Sequence, residues 1–279
     1  MLRFGFVRKL RMSTAYFTRA VITQSARIDL ACQALAGPGG DQRADAVHDL
    51  RLALRALRTV LLFFRGSETA DTLRRHLARS YRLSREAREL EVALDGLALL
   101  QMRHPLALNV DLAWARALQC ERSSLLVRLQ PDLVSALALL LPFLAGADAL
   151  LDKRRLRKLA RMQAKYLWQK VQGKLRRALK SGKRTHWHAA RLAIKRYRSW
   201  GVQFAPLLNR RTRKRVKVLS FVQGLLGELN DWGALVQRLQ AEEALAKAWR
   251  RIIVQRERRL QKVLCRYIRR QVWGVMQAK

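Results

Sequence analysis

The stretch VHDLRLALRALRTVLLFFR, residues 47–65, predicts an amphipathic helix with one cationic side. Four of its side chains lie at offsets of zero, three, seven and ten, and we call them the first stripe: His48, Arg51, Arg55 and Arg58. At about 100° per residue they fall within about an 80° arc, over roughly 15 Å of helix axis. Leucines take the opposite side, at Leu50, Leu54, Leu57 and Leu61. The helix therefore has a core-facing side and a side suited to a multivalent anion.

The same spacing returns 140 residues later in HAARLAIKRYR, residues 188–198. The second stripe consists of His188, Arg191, Lys195 and Arg198. The apolar side of this helix carries Ala190, Ile194 and Tyr197. Because the pattern is duplicated, we expect a duplicated chain that brings two such helices into one molecule.

Helical patterns cover almost the whole chain, and no segment shows the strict alternation of a β-strand. Turn signals separate predicted helices at about residues 13–35, 45–65, 68–102, 111–128, 131–146, 152–180, 188–204, 210–239 and 241–275. Asp45 is predicted to cap the helix of the first stripe, and Asp152 the helix over 152–180. Gly66 and Gly182 are predicted to break the chain between helices. We therefore predict an all-α protein, a single domain of two antiparallel four-helix bundles related by internal duplication, about residues 14–148 and 152–279.

The charge of the chain predicts an anionic partner. Its 279 residues include 57 Lys and Arg against 20 Asp and Glu, a formal net charge of +37. Most of the excess lies in residues 151–279, with 36 basic and 6 acidic residues, whereas residues 1–150 carry 21 and 14. Such self-repulsion opposes compaction and is most readily tolerated when a polyanion compensates it. The alternative is a basic surface that serves only solubility.

An acidic group follows each stripe at a similar distance. The first follower reads Arg88-Glu89-Leu90-Glu91, and the second reads Asn230-Asp231-Trp232, so that Glu89 and Asp231 are 142 positions apart. A carboxylate on a neighbouring helix would hold the guanidinium groups of a stripe in place. The alternative is an ordinary surface ion pair of little energetic weight.

Together these motifs resemble the two halves of a CHAD domain, the conserved-histidine α-helical domain, over nearly the whole chain. The resemblance implies two four-helix bundles about a pseudo-twofold axis, with a basic groove or cavity between them and a function in binding inorganic polyphosphate. It places both stripes and Arg88 in that site. Two departures are Glu89 and Glu91 where the family pattern usually has aspartates, and Ala56 where a further basic residue is common. The catalytic domain that accompanies some members is not expected, since the two repeats account for all 279 residues.

A third basic helix is predicted to widen the site. Its cations fall at offsets of zero, four, seven and eleven, within about a 60° arc: Arg154, Lys158, Arg161 and Lys165. The alternative for this set is a solvated helix face. The basic run from Arg250 to Arg270 is less regular, and we assign it mostly to the surface.

The sequence favours binding over catalysis. It contains no glycine-rich phosphate loop and no nucleophile elbow, so we expect no enzyme. We expect no metal and no cofactor, because no His, Cys or carboxylate stands at ligand spacing beside His48 or His188. Those histidines are predicted to donate hydrogen bonds to phosphate, with structural packing as the alternative.

Partners and location follow from the same features. Besides polyphosphate, phosphate or sulfate ions could occupy the same groove. Nucleic acid is the alternative ligand, since Trp187, Tyr197 and Trp200 near the second stripe could stack on bases. Isolated cysteines and the lack of a signal-peptide pattern favour the cytoplasm, with polyphosphate granules as one location. The uncharged run 133–147 is too short to span a membrane and is predicted to be a buried helix.

Overall fold

The chain is helical almost throughout the part that the structure, a computed structural model, describes: residues 15–37, 45–102, 110–147, 153–241 and 247–272. No strand occurs in these ranges, and the all-α prediction is confirmed. The α-helices are α1 (Ala15–Ala36), α2 (Ala46–Val60), α3 (Glu68–Leu83), α4 (Arg85–Gln101), α5 (Val110–Ala147), α6 (Lys153–Ser181), α7 (Arg184–Gln203), α8 (Arg210–Ala241) and α9 (Lys247–Tyr267). Short 3₁₀ turns follow α2 at Leu61–Phe64 and α7 at Ala205–Leu207, and a π-helical turn, Ile268–Val272, follows α9.

Two predicted glycine breaks are confirmed. Gly66, between α2 and α3, has φ of 95°, and Gly182, between α6 and α7, has φ of 63°. Both angles lie in the left-handed region, which glycine occupies without steric cost. Asp45 stands at the cap position of α2, but its side chain makes no capping hydrogen bond, so that prediction is wrong. The predicted cap at residue 152 lies outside the described residues.

Two predicted helix boundaries are wrong. The helix expected over residues 68–102 is divided into α3 and α4 at Ser84, which is fully buried. Conversely, the helices expected over 111–128 and 131–146 form one helix, α5, that runs through Pro131 and Pro142. Proline removes one backbone hydrogen bond and crowds the preceding turn. In α5 a continuous buried stripe offsets that cost, with members at Leu125, Leu129, Ala136 and Leu140.

Helix α5 is long and apolar enough to cross a membrane, by length and composition alone. The most apolar window of Val110–Ala145 has a mean hydropathy of 1.5, and 29% of that window is buried. A core helix of a soluble protein can meet the same criteria, so this is weak evidence. The absence of a membrane span stays a prediction.

The helices form two compact units. The first unit contains the described residues up to Leu83 together with Leu126–Met162, and the second contains Ser84–Leu125 together with the described residues from Gln163 onward. Helices α5 and α6 each contribute to both units. The repeats predicted at 14–148 and 152–279 divide the chain differently and stay a prediction.

In the first unit, α2 packs against α1 and α3. The predicted core side of α2 is buried at all four leucines, and the first stripe lies on the half-buried side of the helix. Phe64 follows α2 and packs edge-on against Phe17 of α1 and Phe143 of α5, with ring centroids 4.8 Å and 4.9 Å apart. This aromatic cluster fixes the end of the stripe-bearing helix.

In the second unit, α6, α7, α8 and α9 surround one hydrophobic core. Its residues recur every three or four positions along the helices, and its largest members are Trp168, Trp187 and Tyr197. Helices α7 and α8 approach closely at Gly201, where an added Cβ would overlap a methyl group of Val216. Helix α4 packs on the other end of α8, where a Cβ at Gly96 would lie 2.9 Å from Leu235. This packing holds α7, and with it the second stripe, against α8.

Candidate functional site

The first stripe is held from its neighbouring helix by Tyr81. The Nη1 atom of Arg51 donates a hydrogen bond to the carbonyl oxygen of Tyr81 at 2.8 Å, and its guanidinium lies 4.0 Å from the centre of the Tyr81 ring. The guanidinium of Arg58 lies 5.8 Å from the same ring. Such cation–π contacts orient a guanidinium without neutralising it. The sequence analysis missed Tyr81, because nothing in its spacing from the stripe indicates this contact.

The second stripe is held from α8. His188 is exposed at the start of the stripe, and its Nδ1 atom lies 3.0 Å from Oδ1 of Asn230. The Nδ2 atom of Asn230 donates to Oδ1 of Asp231 at 3.4 Å. The apolar side of α7 is buried as predicted, at Ala190, Ile194 and Tyr197.

Asp231 supplies negative charge beside this stripe. Burial raises the pKa of its carboxyl group, and this is the largest effect. The positive charge of Arg191 lowers the pKa, as do the hydrogen bond from Asn230 and the charges of Arg88 and Lys195. The carboxylate is therefore close enough to interact with two stripe cations, as the second follower motif predicts. Glu89, its counterpart in the first follower, pairs with Arg85 on its own helix at 2.6 Å and is exposed.

Comparison with known families and structures identifies the family and the fold. The family model for the CHAD domain matches residues 29–240. The chain belongs to the CHAD family. The crystal structure of the CHAD domain from the plant Ricinus communis is similar, with a TM-score of 0.62 and 17% sequence identity, over 99% of this chain and 96% of that chain. That similarity shows the fold. A search of the curated proteins finds no match. CHAD domains are associated with polyphosphate binding in general.

Arg198, at the far end of the second stripe of this CHAD domain, is partly removed from water. Burial lowers the pKa of its guanidinium. Its Nε atom is enclosed and has no hydrogen-bond partner in the described structure. An anion beside this end of the stripe would offer Nε a hydrogen-bond acceptor.

Arg88 is paired with a buried carboxylate. Its Nη1 atom donates to Glu91 at 2.9 Å, and Arg122 donates to the other carboxylate oxygen of Glu91 at 2.9 Å. Glu91 is only 5% exposed. Since Arg88 also interacts with Asp231, it connects this buried ion-pair network to the second stripe.

The predicted set on α6 lies on an exposed face of the helix. Arg154, Lys158, Arg161 and Lys165 are all exposed, and the buried side of α6 is formed by residues such as Leu156, Ala160 and Ala164. The helix carries 12 Lys and Arg and no Asp or Glu. Its charge is therefore available to a polyanion, but no neighbouring side chain is shown to orient these four cations.

Three further predictions concern metals, thiols and aromatic side chains. In the described ranges, no three His, Cys, Asp or Glu residues lie close enough to hold a metal ion. The three cysteines are free thiols, and burial raises the pKa of Cys32 to about 11. Trp187, Tyr197 and Trp200 are buried. They are therefore not placed to stack on bases, and the nucleic-acid alternative loses its support on α7.

Proposed function

We propose that this CHAD protein binds inorganic polyphosphate through the His/Arg/Lys stripes of α2 and α7, as a binding protein rather than an enzyme. The observation that carries the proposal is the second stripe: four aligned basic side chains lie opposite a buried face. The stripe has a histidine held by Asn230 at one end and a desolvated Arg198 at the other. The family association with polyphosphate supports the choice of anion.

Polyphosphate is a flexible thread with about one charge per phosphate and no bases. Guanidinium groups suit it, because their paired N–H donors match phosphate oxygens and remain charged at cellular pH. Neutralising successive phosphates also releases condensed counterions. A stripe of four donors spans roughly 15 Å and can therefore contact several phosphates.

The proposal rests on each stripe within its own unit. The groove between the repeats stays a prediction from the sequence. The exposed cations of α6 take a peripheral part, and phosphate or sulfate ions bind the stripes more weakly than the polymer does. The proposal also places the protein in the cytoplasm, on polyphosphate granules. There it would recruit other proteins to the granules.

Charge reversal tests the stripes directly. Replacing Arg51, Arg55, Arg191 and Lys195 together by Glu should abolish binding of long-chain polyphosphate while leaving helical circular dichroism intact. A matched control reverses four exposed cations of α9: Arg250, Arg251, Arg258 and Arg259. Wild-type affinity in a folded stripe variant would refute the proposal. An equal loss in both variants would show that the charge acts as a diffuse coat.

Nucleic acid remains the alternative ligand for the stripes. Binding to polyphosphate and to duplex DNA at equal phosphate concentration, measured at rising salt, separates the two. We expect a preference for polyphosphate that persists at moderate ionic strength. Equal affinities with parallel losses would favour nonspecific binding of any polyanion.

A further inference from the structure

A second basic surface lies on α8. Four of its side chains fall at offsets of zero, four, seven and eleven, within about a 60° arc and over roughly 16 Å. We call them the α8 surface: Arg210, Lys214, Lys217 and Phe221. All four are exposed, and Phe221 keeps 47% of its surface in contact with solvent.

The aromatic member of this surface is held in place from α9. The ring of Tyr267 lies 4.5 Å from the ring of Phe221, centroid to centroid, at an interplanar angle of 48°. The Tyr267 hydroxyl donates to the carbonyl oxygen of Val218 at 3.5 Å. One side of Phe221 is thus supported while the ring remains accessible. A Cβ added at Gly224, one turn along α8, would meet nothing within 4 Å, so the helix surface beside the ring is open.

Among the described residues, no Asp or Glu forms an ion pair with the cations of this surface, Arg210, Lys214 and Lys217. Cations at the start of a helix oppose its dipole, so helix stability does not explain them. The π-helical turn after α9 packs against α8 and adds Arg269 and Arg270, both exposed.

The α8 surface is distinct from the second stripe. Asn230, which holds His188, follows Phe221 by nine residues, which places the two on opposite sides of α8. An anion bound along α7 beside His188 would therefore leave Phe221 free. The two sites can be altered independently.

We propose that the α8 surface binds single-stranded nucleic acid, with phosphates on its cations and an unpaired base stacked on Phe221. Polyphosphate has no base, so an exposed, supported aromatic ring among cations offers it nothing. For a single strand, aromatic stacking adds to the attraction between phosphates and cations and tolerates any base. This proposal does not depend on polyphosphate binding at the stripes.

The test uses the full chain, a labelled oligothymidine and an abasic strand of equal length. Phe221→Ala should weaken oligothymidine binding on the order of ten-fold, the effect of losing one base stack. It should leave the affinities for the abasic strand and for polyphosphate unchanged, and Phe221→Trp should retain oligothymidine binding. Val254→Ala, which shortens an exposed apolar side chain of α9, is the matched control and should have no effect.

Reversing Lys214 and Lys217 to Glu tests the phosphate contacts. This variant should bind oligothymidine with a shallower dependence on salt, because fewer counterions are released. The proposal is wrong if Phe221→Ala binds oligothymidine like the wild type, or if it loses equal affinity for the abasic strand. It is also wrong if wild-type protein binds both strands equally well.

Discussion

The Nδ1 atom of His188 lies 3.0 Å from the Oδ1 atom of Asn230, an arrangement in which the Nδ1–H group donates a hydrogen bond to the amide oxygen. This contact orients the imidazole ring at the exposed start of the second stripe and leaves Nε2 as its other polar atom. We therefore expect His188 to contribute to the affinity for polyphosphate.

His188→Ala should weaken polyphosphate binding by a few-fold, measured by titration calorimetry at constant pH and ionic strength. His186→Ala is the matched control, because His186 stands two residues earlier and its Nδ1 atom instead contacts Oγ of Ser181 at 2.5 Å. The control should bind polyphosphate like the wild type. An equal loss of affinity in both variants would show that His188 has no specific part in the second stripe.

Asp231 should limit stability at neutral pH. Burial raises the pKa of its carboxyl group in the folded state, so the folded protein binds its proton more tightly than the unfolded chain does. Its contribution to the free energy of unfolding is therefore greatest below the ordinary aspartate pKa and falls as the pH rises through the raised pKa.

Asp231→Asn removes this proton-linked loss, and we expect it to melt at a temperature at or above that of the wild type at neutral pH. The difference should disappear as the pH is lowered below the ordinary aspartate pKa. Thermal unfolding followed by circular dichroism checks both statements. A variant that melts well below the wild type at neutral pH would show instead that attraction to Arg191 and Lys195 outweighs the desolvation.

The stripes could be predicted from the sequence because helical periodicity alone decides which side chains share a face. On α2 and α7 the buried and cationic sides lie where the spacing placed them. The break at Ser84 could not be predicted, since no glycine or proline marks it. The proline signal misled at Pro131, where packing of the surrounding leucines keeps α5 continuous.

The side-chain contacts between helices could not be predicted from the sequence either. Tyr81 holds Arg51, and Arg122 meets Glu91, only because particular helix faces meet in the fold. The residue spacing that identifies a face says nothing about which side chain of a neighbouring helix lies against it. Only the pairing of Asp231 with the second stripe was suggested beforehand, by the repeated acidic follower.

Tyr81 should contribute to polyphosphate affinity without touching the ligand. Tyr81→Leu removes the ring beneath Arg51, a contact of about 0.5–2 kcal/mol in comparable cases, and leaves the guanidinium less ordered. We expect a loss of a few-fold in affinity by titration calorimetry, with Tyr81→Phe close to the wild type. Tyr166→Leu is the matched control, since its ring lies 5.3 Å from Lys170 on the exposed surface of α6. Equal losses at Tyr81 and Tyr166 would contradict a specific positioning role.

The buried carboxylate of Glu91 accepts hydrogen bonds from Arg88 and Arg122. Glu91→Gln keeps the size of the side chain but removes the negative charge that these two guanidinium groups share. Since both arginines retain some access to water, we expect a loss of about 2 kcal/mol in the free energy of unfolding, below the range for fully buried pairs. Urea denaturation measures it, as a lower midpoint with an unchanged slope.

Glu89→Gln provides the comparison for Glu91, because it makes the same chemical change two residues away in an exposed pair with Arg85. Water and salt already screen that pair, so its loss should cost less than about 1 kcal/mol. Raising the salt concentration should reduce the small effect at Glu89 and leave the larger one at Glu91 nearly unchanged, because burial excludes counterions. If both substitutions cost the same and respond to salt alike, the network around Glu91 is exposed to solvent in solution.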